Sequence, residues 1–124
     1  MGAYRDIYVK KIFSSVTVAA SGSAISSAID LGGLSTTGHF SLQIELTGNG
    51  TAKVEFLLSN NGVDFMEPTG SADIVTGFTK TSGPGSDGKS LISFGPILGR
   101  QIQIKLTETG TSNSIVVSAW LAMS

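Results

Sequence analysis

The sequence contains no cysteine and a single histidine among its 124 residues. Without cysteine there is no disulfide framework and no thiolate metal site. One histidine, His39, cannot build a multi-histidine metal site, and the serines near it lack the sequence context of a catalytic nucleophile. We therefore expect His39 to be an ordinary residue at the end of a strand. We expect the protein to be neither an enzyme nor the carrier of a cofactor.

Charged residues are also scarce. They make up 14 % of the chain, whereas average soluble domains contain about 25 %, and the net charge is −1. Because no basic stripe is present, we expect no nucleic acid partner. Mean hydropathy is +0.25, and interfaces favour the burial of weakly charged surface. These features favour a homo-oligomer, for instance a trimer, over a small neutral monomer coated with serine and threonine.

Long apolar runs are missing as well. A membrane-spanning helix needs about 20 apolar residues, and the uninterrupted runs in this chain are far shorter, so we expect no membrane partner. Arg5, Asp6, Lys10 and Lys11 interrupt the N-terminal segment. That segment therefore does not have the pattern of a cleaved signal peptide.

The most regular feature of the chain is a two-residue alternation of apolar and polar side chains over residues 40–65. Such a period places one set of side chains in a core and the other toward water. A Gly48-Asn49-Gly50 turn signal divides the segment, so we predict two neighbouring strands joined as a hairpin. The apolar members are Phe40, Leu42, Ile44, Leu46, Ala52, Val54, Phe56 and Leu58.

Other segments of the chain also have the residue patterns of β-strands. Residues 100–107 alternate most cleanly, and residues 114–123 are apolar enough for a central strand or one covered on both faces. Residues 24–31 fit a helix or a strand, and we favour the strand. Gly77 is a candidate bulge. We predict an all-β fold, an antiparallel β-sandwich of jelly-roll type with about eight strands. Residues 1–13 would form an N-terminal arm or edge strand, and residues 14–124 a single β-sandwich domain.

Possible sites of chemistry are few, and each has a simpler structural explanation. Glu45 and Glu55 are the only candidate carboxylate pair, but on outward strand faces they would pair with Lys53 or Lys105. Four residues with oxygen ligands could form a calcium site, but the same residues also suit a turn. They are Asn60, Asn61, Asp64 and Glu67. Residues 83–90 spell the phosphate-loop pattern, but a strand rather than a helix is predicted to follow, so we treat the match as chance.

Two segments carry a resemblance to a known group of proteins. Residues 59–65 (SNNGVDF) resemble a turn found in β-sandwich modules of bacteriophage virion proteins and of discoidin-like domains. Phe94 followed by residues 100–107 (RQIQIKLT) resembles a strand of the same modules, and residues 115–117 fit as well. The resemblance covers residues 40–123.

This resemblance implies a structural component of a tailed bacteriophage, located in the virion after assembly in the host cytoplasm. A capsid decoration protein is the preferred form, with a tail or adaptor component as the alternative. Its partners would be further copies of itself and a major capsid or tail protein. The interface residues that we predict are Tyr4, Ile7, Tyr8, Ile12 and Trp120. A different alternative is a carbohydrate-binding module, in which Trp120 or Phe78 stacks on sugar with help from Asn60, Asn61 and Asp64.

Overall fold

The computed structural model describes residues 7–31, 39–68, 72–95 and 99–123. These residues form β-strands and no helix. The strands are β1 (Tyr8–Val18), β2 (Ser23–Ile25), β3 (Ile29–Asp30), β4 (Phe40–Thr47), β5 (Ala52–Ser59), β6 (Asp73–Phe78), β7 (Lys89–Phe94), β8 (Gln101–Glu108) and β9 (Ile115–Met123).

The strands make two antiparallel sheets. The front sheet has the order β1-β9-β4-β7, and the back sheet has the order β2-β8-β5-β6, with β3 also paired to β8. Four of the pairs are nested along the chain, namely β1 with β9, β2 with β8, β4 with β7 and β5 with β6. Successive pairs alternate between the two sheets. One long hairpin rolled up in this way is a jelly roll, so the predicted fold class is confirmed.

The core lies between the two sheets and is built by the alternation seen in the sequence. In β4, the apolar positions from Phe40 to Leu46 are all buried, while the intervening positions are partly or fully exposed. Strand β8 repeats the pattern, since Ile102, Ile104 and Leu106 are fully buried. Strand β9 lies between β1 and β4, which matches the central position predicted for residues 114–123.

The predicted hairpin of β4 and β5 is wrong. Strand β4 belongs to the front sheet and β5 to the back sheet, so the chain crosses between the sheets at residues 48–51. A Cβ atom on Gly50 would lie 2.7 Å from the backbone oxygen of Asn113. The glycine therefore permits a close crossing rather than a tight turn. The outward side of β5 differs too, because Glu55, Leu57 and Ser59 are buried.

Strand β1 is the edge strand of the front sheet and is longer than the sequence indicated. We predicted an N-terminal arm or edge strand that ends at residue 13, but β1 runs without interruption from Tyr8 to Val18. Its pairing with β9 shifts register after Lys11 and again after Phe13. At the second irregularity Ser15 has φ of +49°, and its N–H donates to Ser118 Oγ at 2.9 Å. The two bulges keep a strand with uneven apolar spacing in one ladder.

Two smaller predictions of the sequence are confirmed. Residues 24–31 are extended and contain parts of β2 and β3, both paired to β8. Ser26 bridges the gap between these short strands, because its N–H donates to Ile104 O and its Oγ accepts from Ile104 N. Gly77 has φ of +67° and lies where the β5–β6 register shifts. It is therefore part of a bulge, as proposed.

Candidate functional site

The outer face of the front sheet presents aligned rows of side chains. Alternate side chains of β1, β9, β4 and β7 point away from the core, and the strand register aligns them in rows across the sheet. The central row consists of Lys11, Trp120, Gln43 and Leu91. The polar row next to it consists of Ser118, Glu45 and Lys89. The third row consists of Val9, Ala122, Ser41 and Ser93.

The central row combines an aromatic ring with polar and apolar neighbours. The Nζ of Lys11 lies over the Trp120 ring, 4.9 Å from its centre, which is a cation–π distance. Trp120 is half-buried, Gln43 is exposed, and Leu91 is 68 % exposed. Since Lys11 is itself exposed, the ring is covered on that side by a long, solvated side chain rather than by the fold.

The polar row forms the floor of a shallow groove. Glu45 lies between Ser118 on β9 and Lys89 on β7, and the groove has a volume of about 200 Å³. The N–H of Lys89 donates to Asp87 Oδ1 at 3.3 Å. Ion pairs found among the described residues involve Lys53 and Arg100, and none joins Glu45 to Lys89. Further groove residues are Ser15, Leu46, Thr47 and Val116.

Large apolar side chains are exposed on both faces of the free edge of the sheet, where β1 begins, since Val9 lies opposite Ala122 and Tyr8 opposite Met123. Ile7, Tyr8 and Val9 are 66 %, 44 % and 57 % exposed, and we call these three residues the apolar edge. A second open groove of about 230 Å³ adjoins it, with Ile7, His39, Ala122 and Met123 among its lining residues. Contiguous exposed apolar surface often marks a site of interaction with another molecule.

The predicted interface residues occupy different environments. Ile7 and Tyr8 belong to the apolar edge, and Trp120 lies in the central row. Ile12 packs against the hydrophobic core, which leaves less of its side chain for a partner. Tyr4 lies outside the described residues. Their role at an interface stays a prediction.

The residues proposed for an alternative sugar site are not brought together. Phe78 is 3 % exposed, so its ring cannot stack on a ligand. Asn61 is used by its own turn, because its Oδ1 accepts from Val63 N–H and Asp64 N–H at 2.9 Å. Asn60 Oδ1 accepts from Arg100 N–H. This turn follows β5 of the back sheet, whereas Trp120 lies on the front sheet.

The same contacts bear on the calcium hypothesis. The Nδ2 of Asn61 also donates to Asp64 Oδ2 at 3.0 Å, so both residues are engaged in the turn. Within the described ranges, no group of three or more histidine, aspartate or glutamate side chains is arranged to hold a metal ion. Residues 83–90 lead into strand β7, which leaves the phosphate-loop pattern without the helix N-terminus that it requires.

Glu55 is a buried carboxyl group that the sequence did not reveal. We expected it to be solvated, yet it is 6 % exposed. The predicted contact with Lys53 is present, since Lys53 Nζ lies 3.7 Å from Glu55 Oε2 and 3.6 Å from Asp73 Oδ1. Burial raises the pKa of Glu55, and the adjacent Glu67 carboxyl raises it further through a hydrogen bond and its charge, while Lys53 opposes the change.

Glu108 is a second buried carboxyl group that we did not predict, although its position in the sequence indicates one. It continues the inward positions of β8 after Ile102, Ile104 and Leu106. The side chain is buried, and its two oxygens accept hydrogen bonds from backbone N–H groups of Ser21, Thr51, Gly110 and Thr111. These bonds, that from Thr51 first, lower the pKa of Glu108 to about 2. An acidic residue in phase with an apolar face, with a glycine two residues later, is the pattern that indicates such a carboxylate.

No helix in the described part of the chain has the length and apolarity needed to cross a membrane. No protein-family model matches the sequence, and no curated protein matches it.

The chain superposes on several solved structures with the following results. A chain in the structure of the infectious bursal disease virus Gx strain superposes with a TM-score of 0.52 at 10 % identity, over 94 % of this chain and 31 % of the viral one. The SPBc2 prophage-derived protein YomS gives a TM-score of 0.49 at 10 % identity, over 98 % and 97 % of the two chains. The CBM22-1 xylan-binding domain of Paenibacillus barcinonensis Xyn10C gives 0.42 at 10 % identity, over 99 % and 97 %.

At this identity the likeness to the viral chain shows a shared fold and nothing more. The protein is therefore an antiparallel β-sandwich with jelly-roll topology, of a kind that also occurs within a virus structure.

Proposed function

We propose that this protein is a non-enzymatic structural protein of a bacteriophage virion, and that it acts as a capsid decoration protein. It would associate with further copies of itself and dock on a major capsid protein in the assembled particle. The observation that carries the proposal is the apolar edge, in which three consecutive large apolar residues are exposed at the start of edge strand β1, which pairs with β9 on one side only.

An edge strand offers unpaired backbone N–H and C=O groups to another chain. In β1 this applies to the part before the bulges, which contains Tyr8 and Val9 of the apolar edge. The bulges near Phe13 and Ser15 distort the remainder of the strand and so limit indiscriminate pairing. A neighbouring subunit that covered Ile7, Tyr8 and Val9 would remove apolar surface from water at about 25 cal/mol per Å².

A patch of three residues is small beside the ~800 Å² per partner of a standard interface. Association also costs translational and rotational freedom. A lattice offsets this weakness, since many copies held side by side raise the effective concentration of each contact. A modest apolar patch is therefore better suited to contacts between copies on a repeating shell than to a stable dimer in solution.

Three other features support the proposal. The chain has few charges, the jelly-roll fold is used by capsid domains, and the segments that resemble virion modules form the turn after β5 and the strand β8. A tail or adaptor component, with a tail protein as the partner, would use the same features. The decoration role is preferred because it makes most use of lateral contacts between copies.

The proposal can be tested with empty capsid shells and purified protein. Wild-type protein is expected to sediment with the shells and to self-associate with rising concentration. A Tyr8→Ser/Val9→Ser double variant is expected to lose most of both, because the apolar edge becomes polar. The matched control is Ile25→Ser, which changes a residue that is 51 % exposed on β2 of the back sheet. A wild-type protein that stays monomeric at high micromolar concentration and ignores the shells contradicts the proposal.

A further inference from the structure

The central and polar rows form a strip across the front sheet that the apolar edge does not include. Trp120 and Ser118 are two residues apart on β9, and Gln43 and Glu45 are two apart on β4. Side chains at that spacing on one face are separated by about 7 Å. An aromatic ring therefore adjoins hydrogen-bonding groups over a distance comparable to one sugar ring.

The charges of this strip and of the adjoining groove cancel. Lys11 and Lys89 contribute two positive charges, and Glu45 and the groove residue Asp87 contribute two negative charges. Such a balance favours neither an anionic nor a cationic ligand, because each charge of the ligand would meet a like charge nearby. An uncharged ligand with both donors and acceptors meets no such penalty.

The polar groups of the strip have hydrogen-bonding capacity to spare. Within the described residues, no ion pair involves Glu45 or Lys89, although the strand register places them opposite each other. A carboxylate only accepts and an ammonium only donates, whereas a hydroxyl does both. A row of hydroxyl groups could therefore bond to Glu45, Lys89 and Gln43 at the same time.

The shape of the site decides between a small ligand and a polymer. Pockets that enclose a small molecule usually have volumes of about 300–1,000 Å³, and the groove here is open, with about 200 Å³. It has room for a short part of a chain that continues across the sheet. Trp120 lies two residues from the groove residue Ser118 on β9, and its half-buried ring offers an apolar face once the exposed Lys11 side chain moves aside.

From this arrangement we infer that the outer face of the front sheet binds an uncharged glycan chain, with one sugar ring stacked on Trp120 and its hydroxyls bonded to Gln43, Glu45 and Lys89. The inference goes beyond the proposed virion role and does not depend on it. It also relocates the sugar site, since Phe78 and the Asn60–Asn61 turn have no part in it.

The chain contains one tryptophan, so its fluorescence reports on this face alone. The experiment titrates the protein with dextran, soluble xylan and galactomannan as neutral polymers and with alginate as an anionic one. A saturable change in emission is expected with at least one neutral polymer and not with alginate. No change with any neutral polymer, or a change with alginate only, overturns the inference. It is equally overturned if emission changes with protein concentration alone, since the face is then a contact between copies.

Variants locate the binding by retardation in native gels cast with the responding polymer. Trp120→Ala is expected to abolish retardation, and Glu45→Gln to weaken the affinity roughly tenfold or more, because a charged hydrogen bond is lost. Gln103→Ala, on the outer face of the back sheet, is the control and is expected to bind as the wild type does. Equal loss in all three variants overturns the assignment. Trp120→Phe, expected to retain weaker binding, serves if the alanine variant does not fold.

The two proposals fail separately. The Tyr8→Ser/Val9→Ser variant is expected to lose docking on capsid shells and to keep its retardation by glycan. If that variant lost glycan binding while the Trp120→Ala variant still bound the glycan, the glycan would be assigned to the apolar edge and the inference would be overturned.

Discussion

The Glu108 carboxylate accepts a hydrogen bond of 2.8 Å from the backbone N–H of Thr51, directly before the neighbouring strand β5. The same carboxylate accepts from Ser21 in the β1–β2 connection and from Gly110 and Thr111 after β8. One side chain thus satisfies backbone donors of three connections at one end of the sandwich. The carboxylate is buried, and a buried charge is costly unless it is hydrogen-bonded, so these four bonds tie the crossing between the sheets at residues 48–51 to the other two connections.

Replacement of Glu108 by glutamine is expected to lower the stability of the fold. The amide keeps the size of the side chain but presents an NH₂ group to backbone N–H donors, so at least one of the four bonds becomes a repulsive contact. Urea unfolding of both proteins at neutral pH measures the effect as a lower midpoint. Glu45→Gln, on the solvated face, is the matched control and should leave the midpoint unchanged. Equal midpoints for Glu108→Gln and the wild type would disprove the role of the carboxylate.

The contribution of Glu108 is also expected to depend on pH. Its pKa is lowered from 4.5 to about 2 in the folded protein, so between these values the unfolded chain binds the proton more readily. The stabilisation is complete above about pH 4.5 and is lost as the pH falls toward 2. Urea midpoints of wild type and Glu108→Gln, measured from pH 6 to pH 2, should converge at the acid end. A difference that stays constant over this range would contradict the assignment.

Glu55 is expected to show the opposite pH dependence. Burial and the Glu67 carboxyl raise its pKa above 4.5 in the fold, so the folded protein holds the proton more tightly than the unfolded chain. The stability contributed by this group is present at low pH and is lost as the pH rises through the raised pKa. Relative to Glu55→Gln, the wild type should therefore become less stable as the pH rises above 4.5. Thermal unfolding of both proteins across that range measures the effect, and Glu67→Gln should reduce it.

Burial in the core predicts a large difference between two apolar truncations. Ile104 is fully buried, whereas Leu91 is 68 % exposed. Ile104→Ala should cost about 2–5 kcal/mol of unfolding free energy, because a cavity is left between the sheets. Leu91→Ala should change it by less than about 0.5 kcal/mol. Denaturant titrations of both variants measure these changes in unfolding free energy. If Leu91→Ala lowered it nearly as much as Ile104→Ala, the outer face would have to be covered.

Parts of this fold follow from local patterns in the sequence. Strands β4 and β8 were predicted from strict alternation, and both bury the predicted positions, Phe40 to Leu46 and Ile102 to Leu106. Alternation is decisive there because one face of each strand meets the core and the other meets water. The strand interpretation of residues 24–31 and the bulge at Gly77 follow from the same local preferences.

Other features depend on which segments meet in space. A Gly-Asn-Gly sequence suits both a hairpin turn and a crossing between sheets, so nothing local separated β4 from β5. The burial of Glu55 needs the covering of the outer side of β5, and the four bonds of Glu108 need three distant connections. The rows on the front sheet likewise arise only from strand order, which sets Trp120 of β9 beside Gln43 of β4 and Lys11 of β1.

Local patterns in the sequence are enough to specify an all-β sandwich with a core of alternating aliphatic residues, because apolar side chains with a period of two share one face of a strand and are buried between two sheets. The nested jelly-roll pairing, the hydrogen-bonded carboxylate of Glu108 and the face on which Trp120 lies depend on the tertiary structure. Strand order is set by the packing of the whole chain, and residues far apart in sequence become neighbours only once that packing is complete.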